Sequence, residues 1–183
     1  VSQPDLPSWR YHRKTFRSEC HQDRWIFDNV ISRLSAHSVF VEFGARNGLT
    51  NSNSHFYERA LNWSGVLLEA GADDIASLRR NRRCSFGGHD ACLHAAVAAT
   101  TGDLLLHNTT CGAGPCRRTV RTRPTGNASA KAGLTAVHSV SLNDALAQLQ
   151  VGPIGLLSAD CEGCEYEALR AFDFGKHQPQ FVL

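Results

Sequence analysis

Apolar residues recur along this chain in two alternating rhythms. From Asp23 to Leu34, the residues Trp25, Ile26, Val30, Ile31 and Leu34 fall at helical spacing. Val39 to Phe43 follows as a short apolar run interrupted by Glu42 and ending at Gly44, the pattern of a buried strand entering a glycine turn. Ser52 to Leu61 reads as a helix, with Ser52, Asn53 or Ser54 able to cap its first amides. Gly65 to Glu69 is a second apolar strand, ending in a carboxylate. Asp73 to Arg82 predicts a third helix, acidic at its start and basic at its end as the helix dipole favours.

Leu93 to Ala98 and Leu104 to His107 read as two more strands, joined by a turn through Thr100, Thr101 and Gly102. Ser141 to Leu149 is a helix with Ser141 and Asp144 in capping-box spacing. Gly155 to Ala159 is a buried strand delivering Asp160, Gly163 to Ala171 a helix, and Gln180 to Leu183 a final strand. Strands alternating with helices predict an α/β domain, a mainly parallel sheet covered by helices on both faces. The polar opening, with Pro4 and Pro7, assigns residues 1–21 to an arm and 22–183 to the domain. Cys111 to Gly133 breaks the alternation: it carries Arg117, Arg118, Arg121, Arg123 and Lys131 and no acidic residue. Such an insertion is either a solvated loop or a basic lid over an anionic acceptor.

Composition narrows the partners. The 183 residues carry a net charge of +2, which argues for neither nucleic acid nor a membrane surface, and no apolar run approaches the roughly 18 residues of a membrane span. Val1 to Arg10 has no apolar signal core, and a first residue of Val reads as a fragment or a processed chain. Seven cysteines, an odd number, and sequons at Asn62, Asn108 and Asn127 leave the cytoplasm and the secretory lumen equally open.

Three strand tips carry the candidate chemistry, because ligands in open parallel sheets sit beyond the carboxyl ends of the strands. The first runs Val41-Glu42-Phe43-Gly44-Ala45-Arg46-Asn47-Gly48, where Gly44 and Gly48 would let backbone approach a ligand closely. Its Gly-x-x-x-Gly spacing departs from the dinucleotide fingerprint and disfavours NAD. The second ends at Glu69, placed to accept hydrogen bonds from both hydroxyls of a ribose. The third, Ser158-Ala159-Asp160-Cys161-Glu162-Gly163-Cys164-Glu165, gathers carboxylates that can position a cationic group, take a proton from a hydroxyl or bind a divalent ion. For Glu165 and Glu167 a structural place at a helix start competes with any of these.

The blocks Phe40 to Gly48, Ser52-Asn53-Ser54 and Asn62 to Ala70, then Ser141 to Leu146 and Asp160 to Leu169, resemble in that order those of FkbM-type methyltransferases. Gln22-Asp23-Arg24-Trp25 resembles the family's helix before the first strand. The resemblance implies a Rossmann-like class I methyltransferase fold that binds S-adenosyl-L-methionine (SAM). It places SAM across Glu42, Gly44, Asn47, Gly48 and Glu69, with an adenine pocket around Ala95 to Val97, Ala96 at its centre, and a crevice lined by Asp160. It further implies methylation of a hydroxyl on a small or glycan acceptor, Asp160 and then Glu162 being the candidate catalytic groups. Ser158 stands where many members have Lys, and Asn143 where many have Asp. Such sheets close with a further hairpin, and this chain ends before one, which reads as truncation. A methyltransferase-like binding module without catalysis is the competing reading.

Other clusters rank below these. Cys161 and Cys164 form a Cys-x-x-Cys without thioredoxin context; His107, Cys111 and Cys116 suit a zinc site less well than a Cys111–Cys116 disulfide. His94 and His138 read as structural histidines.

Overall fold

In the computed structural model, which describes residues 15–31, 38–107, 119–121 and 134–183, alternate strand residues divide between two faces. Val41, Phe43, Val66, Leu68 and Leu157 lie in one apolar cluster, while Phe40, Leu67 and Leu156 lie in another. That period of two is what a strand buried on both sides produces. The helices are α1 (Gln22–Asn29), α2 (His55–Leu61), α3 (Ala72–Asn81), α4 (Leu142–Gln148), α5 (Glu165–Arg170) and α6 (Phe174–His177). The strands are β1 (Val39–Phe43), β2 (Ser64–Glu69), β3 (Ser85–Phe86), β4 (His89–Asp90), β5 (Cys92–His94), β6 (Ala96–Ala98), β7 (Gly102–His107), β8 (Thr119–Arg121), β9 (Leu134–Ser141), β10 (Leu156–Ala159) and β11 (Phe181–Val182).

Five strands form a parallel sheet in the order β11-β10-β1-β2-β5. Ala145 and Leu146 of α4 and Ala168 of α5 join the first cluster; Ile26, Phe56, Tyr57, Ile75 and Leu78 of α1, α2 and α3 join the second. Helices therefore cover both faces, and the fold is the expected Rossmann-like α/β arrangement. From β1 the chain moves outward through β2 to β5, then returns to β10 and β11 on the other side. The order reverses between β1 and β10, and at such a switch point a crevice opens beyond the strand ends.

Several elements differ from expectation. The single strand expected over 93–98 is two. β5 follows β2 as far as the pair Glu69↔His94, after which β2 has ended. Left without that neighbour, Ala96 to Ala98 pair with β9 in a second sheet, ordered β6-β9-β7-β8. The strand Leu134–Ser141 and the β3–β4 hairpin are additions to the expected elements. Of the basic insertion, Thr119–Arg121 pairs with β7 and the remainder lies outside the described residues. The first helix ends at Asn29 rather than Leu34; of the remainder, Val30 forms a turn, Ile31 a single 3-10 residue, and 32–34 fall outside the described residues. The last residues of the expected arm lie against the domain: Phe16 is buried and stacks on Phe56 with ring centroids 4.2 Å apart. Among the described residues no helix is long and apolar enough to cross a membrane.

Candidate functional site

The tips of β1, β2 and β10 are tied together by backbone. Gly44 and Ala45 N–H donate to the carbonyl of Leu68 at 3.0 and 3.1 Å, and Asp160 N–H donates to that of Phe43 at 3.2 Å. The glycine turn then doubles back over β2: Arg46 N–H donates to Glu69 Oε2 at 2.7 Å, while Gly71 N–H donates to Oε1 at 2.6 Å. Arg46 takes a left-handed backbone, φ 49°, to present that amide. Asp160 lies across the turn, exposed at the end of β10. Loss of water around its carboxyl, together with Glu165 and Glu19, raises its pKa above the usual aspartate value, and Arg46 pulls it partly back. One turn thus meets Glu69 on one side and Asp160 on the other, and the Arg46 charge acts on Asp160.

The other expected site residues take different places. Glu42 is turned inward and buried. Its carboxylate accepts from Ser52 Oγ at 2.9 Å, from Asn53 N–H at 2.8 Å and from Ser54 Oγ. It holds the segment after the turn from beneath. Asn47 uses its side-chain oxygen on the amides of Leu49 and Thr50, at 3.0 and 2.8 Å, and so shapes the turn rather than pointing out of it. Gly44 and Gly48 make room for protein. A Cβ on Gly44 would lie 1.8 Å from the Asp160 carbonyl oxygen, and one on Gly48 2.5 Å from Arg82 Cγ. Ala96 is buried in β6 and packs with Ala98, Leu104, Val137 and the partly buried Ala70. Glu162, exposed and left-handed at φ 58°, follows Asp160 at the rim.

Glu165 accepts from the amides of Cys161 and Gly163, both at 2.9 Å, and Glu167 pairs with Arg170 at 2.6 Å; both belong to the frame of α5. Of the residues expected to cap α2, Ser52 meets the first helical amide, accepting from His55 N–H at 3.2 Å, and Ser54, at the N-cap, serves Glu42 as a donor. Ser158 is buried and accepts from Asn53 Nδ2 at 3.0 Å; Asn143 bridges the Ala171 carbonyl and the Asp173 amide. Cys161 and Cys164 are joined in a disulfide, and so are Cys84 and Cys92, a pairing the sequence does not announce. Cys111 and Cys116 lie outside the described residues. His94 is exposed with Nε2 3.3 Å from the Ala70 carbonyl, and His138 is 3.7 Å from Asp103. Among the described residues no group of three or more His, Cys, Asp or Glu is placed to hold a metal ion.

Three residues escaped the sequence reading: Arg46, Glu19 and Arg82. Arg46 stands between the glycines that signal the turn, so its position is readable in the sequence. Glu19 and Arg82 reach the site only through the tertiary fold. Comparison with curated proteins and with solved structures returns no match. The family model described as the methyltransferase FkbM domain, however, matches residues 42–183, a span that takes in the glycine turn, Glu69 and Asp160. The chain therefore belongs to the FkbM methyltransferase domain family.

Proposed function

We propose that this methyltransferase domain uses SAM and transfers the methyl group to a hydroxyl of a small or sugar-like acceptor. The observation that carries the reading is the meeting of Glu69 and Asp160, from separate strands, at the turn through Arg46. The side-chain chemistry there fits a ligand that combines a ribose diol, a sulfonium cation and an amino-acid carboxylate. Glu69 would accept from the diol, Asp160 would face the cation, and Arg46 would meet the carboxylate. Of the expected adenine segment, Ala96 packs beside Ala70, the residue after Glu69, and would border the ring, while Ala95 and Val97 belong to the core cluster on the other face. SAM supplies a methyl group already activated by its positive sulfur, so the protein's own work is orientation, exclusion of water and removal of one proton.

Asp160 is the general base of this reading, with Glu162 beside it. A hydroxyl is a weak nucleophile at neutral pH, and a carboxylate with a raised pKa is a stronger proton acceptor than an ordinary one. Asp160 takes the hydroxyl proton as the oxygen gains its methyl. The test is label transfer from methyl-labelled SAM to a panel of glycans and small alcohols, alongside calorimetry with S-adenosylhomocysteine (SAH). Asp160→Asn should lower transfer by about 100-fold or more and leave SAH affinity within a few-fold of the parent. A parent chain that gives no heat with SAH and labels no acceptor would instead be a binding module on the same fold.

A further inference from the structure

Beneath the glycine turn lies a side chain the proposed reaction never touches. Arg82 lies just past the end of α3, and its side chain is 0% exposed. Its Nη1 donates to the Gly48 carbonyl at 3.2 Å and to Ser52 Oγ at 3.0 Å, and its Nη2 to Ser54 Oγ at 2.9 Å. Its Nε donates to Glu58 Oε2 at 3.0 Å, and Glu42 Oε2 lies 3.7 Å from Nη1. The guanidinium also sits 5.3 Å from the centroid of the Phe40 ring. Gly48, at φ 76°, rests on the stem of this side chain, with no space for a Cβ between them.

The buried carboxylates Glu42 and Glu58 call for a positive charge here, but charge alone does not call for arginine, since a lysine ammonium would also supply it. A guanidinium adds a rigid planar fork that holds several acceptors in fixed directions at once. Three of those acceptors, Gly48, Ser52 and Ser54, lie on the stretch between β1 and α2, and the same serines donate to Glu42 at the end of β1. Arg82 thus locks the far side of the turn whose near side offers the Arg46 amide to Glu69.

We propose that Arg82 is a positioning residue for the methyl donor: it fixes the height and tilt of residues 44–54, so that Arg46 and Glu69 meet the ligand in register. The inference rests on the SAM reading given above. Arg82→Lys tests it, since it keeps the positive charge between Glu42 and Glu58 and loses the fork. At a temperature where the variant is fully folded, its SAH affinity should fall by about 10- to 100-fold, as expected when a binding element is displaced by about 1 Å. Amide exchange should quicken over residues 44–54 and stay unchanged in β10. Unchanged affinity, or exchange that rises evenly through the sheet, overturns the proposal and leaves Arg82 a plain contributor to stability. If Arg82→Lys does not fold, the double substitution Ser52→Ala with Ser54→Ala removes two of the acceptors and is judged by the same pair of measurements. If the parent chain binds no SAH, the SAM reading falls, and the exchange pattern still decides whether Arg82 holds the turn.

Discussion

At Gly44 only a hydrogen atom fits, and the reason is the chain itself. A Cβ there would lie 1.8 Å from the Asp160 carbonyl oxygen, on a backbone with φ 80°. Gly44→Ala combines a left-handed alanine, costing about 1–2 kcal/mol, with the parting of β1 from β10. The expected loss is about 3 kcal/mol or more in urea unfolding, and a change under 1 kcal/mol would show that the two tips are not in contact. His55 gives a second residue-scale prediction. Burial, then the cations Arg82, Arg17 and Arg59, lower its pKa from 6.5 to about 4. The native ring therefore resists protonation that the unfolded chain accepts, so stability is intact above pH 6.5 and falls as pH drops toward 4. Because part of the ring still meets water, the loss should be about 1–2 kcal/mol, less than the shift alone implies. Unfolding midpoints measured across that window should fall for the parent, and His55→Gln should flatten the slope. The carboxylates at 42, 69 and 160 were legible because a strand tip is a local signal. The inward turn of Glu42 was not, since the residue that faces it, Arg82, reaches it only through the packing of α3.

Among the elements, β1, β2 and β10 were legible because each is an apolar run ending at a glycine or a carboxylate, whereas β5 ran into β6 as one apolar stretch. The start of α4 was legible too, though the structure alters its detail. Ser141 Oγ accepts from Asp144 N–H at 3.1 Å, as a capping box requires. The return contact runs through Thr101, which accepts from Ser141 N–H and donates to Asp144. Those hydroxyls, Thr101 first and then Ser141, hold the Asp144 carboxyl below the usual aspartate value. The strand β9 was illegible beside the basic segment that precedes it, because its pairing with β6 and β7 depends on chain that lies far away in sequence. The Cys84–Cys92 disulfide was illegible for the same reason of pairing. It closes a loop of eight residues' separation around the β3–β4 hairpin and ties the end of the Arg82–Arg83 segment to the edge strand β5. A crosslink over so short a loop contributes about 2–3 kcal/mol. Cys84→Ser with Cys92→Ser should lower the melting temperature by about 4–12 °C for a domain of this size, and an unaltered melt would mean that the bond does not form.

For the molecule as a whole, the order β11-β10-β1-β2-β5 places two halves of one sheet on either side of β1. One half supplies Glu69, the other Asp160, and the glycine turn of β1 spans them. The alternation of strands and helices made this class of fold readable, but no local pattern states that residues so distant in the chain become neighbours. A ligand held at that junction contacts both halves, so binding should be felt by the entire cooperative unit rather than by a loop alone. At 100 times its dissociation constant SAH would add about 2.7 kcal/mol, which in a domain of this length raises the melting temperature by about 5–11 °C. Asp160→Asn should keep that rise, because its carboxylate serves the acceptor's proton. Glu69→Gln should lose most of it, since the acceptor for the ribose diol is weakened together with the hold on Arg46. Equal rises in the parent and both variants would place SAH away from the strand tips. No rise in any of the three would mean that the fold has kept its architecture without the donor.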